Sequence, residues 1–125
     1  MLASVNKPPF ISIVDDDDSV RESLCGLFRL LKFGVEAFSS ADEFLRWERI
    51  GDTGCLILDV AMPGMNGLEL QRRLAVSHPQ IAVIFISAHD DDDLRARALQ
   101  GGAIDYLLKP LSDEALLDAV KTALR

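Results

Sequence analysis

The chain has 125 residues, of which 49% are hydrophobic and 26% charged, the profile of an ordered globular protein, long enough for one cooperative core but not for two domains. Twenty acidic against thirteen basic residues give a formal charge of −7, so most faces would repel a phosphate backbone and direct nucleic-acid binding is disfavoured. Cys25 and Cys55 are too few for a disulfide framework and sit in apolar patterns, which suits a reduced, cytoplasmic protein.

The N-terminal stretch MLASVNKPPFISIVDDDD has no cationic start followed by an apolar block, and no apolar run approaches membrane-spanning length. Neither an export leader nor a membrane anchor is expected. Short apolar, β-branched runs then recur along the chain at Phe10 to Val14, Val35 to Phe38, Cys55 to Leu58, Ile81 to Ser87 and Ile104 to Leu108, and they read as five strands. Segments with helical spacing lie between and after them, near 18–33, 40–49, 66–77, 90–101 and 112–124. The clearest places Val20, Leu24, Leu27, Phe28 and Leu31 on one face.

Ser19 with Glu22 and Ser40 with Glu43 have capping-box spacing, while Gly34 and the pair Gly101 and Gly102 read as helix stops. Strands and helices alternate five times, and near-continuous apolar strands imply a parallel sheet covered on both faces. The chain ends at Arg125 as the fifth helix closes, so it is either a complete single domain or the N-terminal part of a longer protein.

Ligands of an open parallel sheet bind beyond the carboxyl ends of its strands. Asp15 and Asp16 follow strand 1, Asp59 follows strand 3, Ser87 closes strand 4, and Lys109 with Pro110 closes strand 5; strand 2 offers only Ser39 and Ser40. Carboxylates about 4 Å apart repel by roughly 4 kcal/mol at an effective dielectric of 20, so the acidic group needs a counter-charge. An all-oxygen donor set favours Mg²⁺, or Mn²⁺ in its place, and Mg²⁺ is commonly bound by one or two carboxylates together with substrate phosphate. A carboxylate can then act as nucleophile toward a phosphoryl group while lysine and hydroxyl hold its oxygens.

The segments IVDDDDSVRESL, CLILDVAMPGMNGLEL, VIFISA and GGAIDYLLKPL together resemble the receiver domain of bacterial two-component response regulators, and SSADEFL and LSDEALLDAV are similar to the FixJ-like transcriptional regulators. The resemblance implies a flavodoxin-like, doubly wound five-stranded parallel sheet of order 2-1-3-4-5 with five helices on both faces. It implies that Asp59 accepts a phosphoryl group from a phosphohistidine of a sensor histidine kinase. Asp16, Asp59 and the Ala61 backbone carbonyl would ligate Mg²⁺, with Asp15 acting through a metal-bound water. Lys109 and Ser87 would hold the phosphoryl oxygens. Ser87 and Tyr106 would form the switch, Tyr106 turning toward the space Ser87 vacates, with phosphorylation-dependent homodimerisation through helix 4 and strand 5 and a DNA-binding output domain outside this chain. The Lys109–Pro110 peptide would be cis.

Other residues take plainer roles. Met62, Pro63, Gly64 and Asn66 read as turn chemistry, Gly67 as a close-packing position, and Trp47 as packing; His78 and His89 draw no functional role. Two rival functions are an aspartate-nucleophile phosphatase of the haloacid dehalogenase type, for which Asp15 and Asp17 have the spacing, and a non-phosphorylated interaction module. The first leaves Asp59 unexplained, and the second leaves the filled phosphotransfer positions unexplained.

Overall fold

The computed structural model describes residues 10–125; the reading that residues 1–9 carry no leader lies outside them. Five strands, β1 (Phe10–Val14), β2 (Gly34–Phe38), β3 (Cys55–Asp59), β4 (Ala82–Ser87) and β5 (Asp105–Leu108), form one parallel sheet in the order β2-β1-β3-β4-β5. The helices are α1 (Asp18–Leu30), α2 (Ala41–Leu45), α3 (Gly67–Ser77), α4 (Asp92–Gln100) and α5 (Asp113–Ala123), with a 3₁₀ turn at Ile50–Asp52.

The period of two along each strand divides the core into two layers. Cys55 and Ile57 of β3 join Ile11, Ile13, Ile84 and Ile86 beneath α1 and α5, through Leu24, Phe28, Leu116 and Val120. Leu56 and Leu58 face the other way, onto Phe44, Leu70, Leu74 and Phe85 under α2, α3 and α4. Both cysteines are buried and free, and burial pushes the Cys55 thiol up to about 12, so it is inert packing. Trp47 packs as expected, its ring 5.1 Å from Phe38 and 5.5 Å from Phe10.

The sequence reading of three helix ends needs correction. Asp17, not Ser19, caps α1, its carboxylate accepting from the amides of Ser19 and Val20. The helix stops at Leu30, and Lys32 takes the left-handed conformation (φ 71°) that Gly34 was expected to supply. Gly34 instead opens β2, where a Cβ would meet the Phe10 ring at 2.8 Å. The early stop leaves Leu31 as the C-cap, 42% exposed rather than on the core face. Helix α2 ends at Leu45, short of the expected 49. Ser40 caps it through the Glu43 amide, but Glu43 reaches back to the amide of Ser39. Gly101 and Gly102 do terminate α4, the latter at φ 101°.

Candidate phosphoryl and metal site

Strand register alone gathers the polar residues. Val14 pairs with Leu58, Asp59 with Ile86 and Ser87 with Leu108, so Asp15 and Asp59 arrive level on one rim, with Ser87 one position and Lys109 two positions further along. The loop after β3 folds back on itself: the Gly67 amide donates to the Val60 carbonyl at 3.1 Å, and a Cβ on Gly67 would lie 2.5 Å from the Asp59 carbonyl oxygen. Only glycine permits that return. Gly64 turns the loop at φ 76°, and the Ala61 amide donates to Asp59 Oδ1 at 3.3 Å.

Asp15 is fully buried and Asp59 is 5% exposed, whereas Asp16 is exposed. One carboxylate oxygen from each lies within 4.8 Å of the other two. Lys109 Nζ stands 2.9 Å from Asp15 Oδ2 and 3.7 Å from Asp59 Oδ2. The Asp17 amide donates to Asp15 Oδ1 at 2.9 Å. Asp15 Oδ2 is buried with no well-directed hydrogen bond among the described residues, and its ion pair with Lys109 is a charge contact.

Burial pushes the Asp59 carboxyl up to about 7, and the Asp15 charge adds to the effect; Lys109 and the Ala61 amide oppose it. Burial also works against the Lys109 ammonium, but the contact with Asp15 and the charge of Asp59 outweigh it and raise its proton affinity. With all three carboxylates ionised, one ammonium would leave two negative charges in excess. A hard divalent cation fits that excess, the oxygen-only donors and an Asp15 Oδ2 without a directed hydrogen bond.

Ser87 is fully buried at the end of β4, but its hydroxyl is engaged elsewhere: it donates to the His89 carbonyl at 3.1 Å and accepts from the His89 amide at 3.0 Å. Tyr106 is 1% exposed, its hydroxyl 3.4 Å from the same carbonyl. The ring is therefore already inside in this structure, where the resemblance implied a turn inward on phosphorylation. The Arg95 guanidinium covers it at 5.0 Å and donates to the Tyr106 carbonyl. The Lys109–Pro110 peptide is cis.

Two participants escaped the sequence reading. The backbone of His89 is the resting partner of Ser87, and Arg21 donates to the Asp15 carbonyl at 2.7 Å. Their signal is weak, because neither a main-chain group nor an arginine inside a helix stands out in a linear pattern.

A family model described as the response regulator receiver domain matches residues 11–121. The chain is 49% identical over 115 residues to the response regulator protein TmoT of Ectopseudomonas mendocina, covering 92% of this chain and 52% of that protein. It is 40% identical to the transcriptional regulatory protein FixJ of Azorhizobium caulinodans, over 91% of this chain and 54% of that one. The chain thus spans about half the length of these curated relatives. Among solved structures, the response regulator StyR superposes with a TM-score of 0.85 at 44% identity, over 94% of this chain and 60% of StyR. The crystal structure of FixJ-N superposes with 0.84 at 33% identity, over 94% of both chains.

Proposed function

The chain belongs to the receiver-domain family of two-component response regulators, and we propose that Asp59 is its phosphoacceptor. The observation that carries the assignment is a nearly buried carboxylate at a strand end, 3.7 Å from the Lys109 ammonium, with an oxygen within 4.8 Å of one from each of two further carboxylates.

An Asp59 carboxylate oxygen attacks the phosphorus of a sensor kinase phosphohistidine. The P–O bond forms as the P–N bond breaks, and the imidazole nitrogen leaves with the electron pair and takes up a proton. Lys109 pairs with a phosphoryl oxygen, for which it must loosen its contact with Asp15. Ser87 exchanges the His89 carbonyl for a second phosphoryl oxygen. Asp16, Asp59 and the Ala61 carbonyl, with Asp15 acting through water, would hold Mg²⁺ or Mn²⁺. A divalent cation held there would supply positive charge to neutralise the transferred oxygens. Hydrolysis of the aspartyl phosphate on the same site resets it, so the domain assists its own phosphorylation and dephosphorylation without turning over a metabolite.

Release of the His89 backbone by Ser87 frees the start of α4, and the altered α4 and β5 surface forms a homodimer. The names of the curated relatives support a transcriptional output carried outside this chain. Buried, unpaired cysteines accord with a cytoplasmic setting. Among the described residues no helix is long and apolar enough to cross a membrane.

Intact mass after incubation with Mg²⁺ and acetyl phosphate tests the assignment. One added phosphoryl group on the wild-type chain and none on Asp59→Asn is the expected result. Labelling that survives in Asp59→Asn and disappears in Asp15→Asn would return the dehalogenase-type reading.

A further inference from the structure

The turn between β1 and α1 is held by a side chain that the phosphate chemistry does not itself use. Arg21, in the second turn of α1 with its side chain 20% exposed, donates through one guanidinium nitrogen to the Asp15 carbonyl at 2.7 Å and pairs through the other with the Asp18 carboxylate. That carbonyl lies just past the end of β1, and among the described residues no backbone amide reaches it. Arg21 is its partner.

The peptide unit is rigid, so fixing the Asp15 carbonyl also fixes the Asp16 amide and the position of the Asp16 Cα. The two neighbouring carboxylates need no such help. Asp15 is held by the Asp17 amide and Lys109, and Asp59 by the Ala61 amide. Among the described residues the Asp16 carboxylate makes neither a hydrogen bond nor an ion pair, yet one of its oxygens stands within 4.8 Å of the other two ligand atoms.

We propose that Arg21 is the positioning residue of the metal site, orienting the exposed Asp16 carboxylate through the Asp15–Asp16 peptide. The proposal rests on the reading of Asp15, Asp16 and Asp59 as the metal site. It has a sign that charge alone does not. A guanidinium near a divalent cation repels it, so removing Arg21 would tighten metal binding if the charge were all that mattered. Positioning predicts the reverse. Lysine keeps the charge but cannot span carbonyl and carboxylate with a planar fork, so it restores only part of the effect.

The test is Mn²⁺ binding to the whole chain, read from the electron paramagnetic resonance signal of the free ion well below the melting temperature, with Mg²⁺ as competitor. Wild type, Arg21→Gln, Arg21→Lys and Asp59→Asn are compared, each checked by a metal-free thermal melt. Arg21→Gln should weaken binding about tenfold, as is common when a group behind a metal ligand is removed, and Arg21→Lys by a smaller factor. Lower stability alone would move the melt and leave the affinity of the folded chain unchanged. Wild-type or tighter binding by Arg21→Gln overturns the proposal; if that variant does not fold, wild-type binding by Arg21→Lys does so. Weakened binding in Asp59→Asn with none in the Arg21 variants overturns the Arg21 role alone, whereas wild-type binding in Asp59→Asn overturns the metal site itself.

Discussion

The four-aspartate runs at Asp15 to Asp18 and Asp90 to Asp93 are spelled alike and share one local job. In each the carboxylate of one aspartate, Asp17 or Asp91, caps the following helix by accepting from the amides two and three residues on. They differ in what precedes the cap. Asp15 ends a central strand, fully buried, with β3 beside it and Lys109 in contact, while every member of the second run is exposed. Local sequence sets the cap; position in the sheet brings half of the first run, Asp15 and Asp16, together with Asp59.

The largest effect should separate the runs by chemistry. If Asp59 is the phosphoacceptor, Asp59→Asn should abolish phosphoryl labelling and Lys109→Ala should slow it by roughly 10² to 10³, whereas asparagine at all four positions 90–93 should leave labelling intact by intact mass. Loss of labelling in that quadruple variant would place the second run in the site and erase the distinction.

Stability should separate them next. The Asp59 carboxyl titrates at about 7 in the fold, above the 3.8 of an ordinary aspartate, so the folded chain binds an extra proton between those values. Its stability contribution therefore falls as pH rises through that window. Metal-free Asp59→Asn should be more stable than wild type at pH 8, on the order of 1 to 3 kcal/mol, with the gap narrowing toward pH 4. Mg²⁺ should stabilise wild type and narrow the gap at pH 8. Denaturant titrations across this pH range read both effects, and a gap that widens on acidification contradicts the burial account.

The shared capping role predicts similarity instead. Asp17→Ala and Asp91→Ala should each cost about 1 kcal/mol, measured by chemical denaturation. A smaller change is expected at Asp92, in the first turn of α4, where asparagine should cost about 0.3 kcal/mol by loss of charge at the positive helix end.

Much of the fold was legible because each strand is a compact apolar run. The first strand was read with its observed bounds, and the other four shifted by one residue at one end. Helix ends were less legible, since they depend on hydrogen bonds that the linear pattern leaves ambiguous. Ser19 and Asp17 are both competent caps, and the backbone chose the one whose carboxylate reaches two amides. Gly34 looked like a helix stop but is glycine because the Phe10 ring lies over it.

The sequence by itself determined the alternation of strand and helix, the two-layer core and the identity of the polar strand ends, because periodicity and residue chemistry act locally. Only the tertiary structure decided how those ends meet. Parallel register sets Asp59 beside Lys109 and Asp15, Gly67 lets the following loop close over the Asp59 backbone, and the His89 backbone occupies the Ser87 hydroxyl. Burial then gives the Asp59 carboxyl a proton affinity that no isolated aspartate has, through desolvation and charges brought in from separate strands.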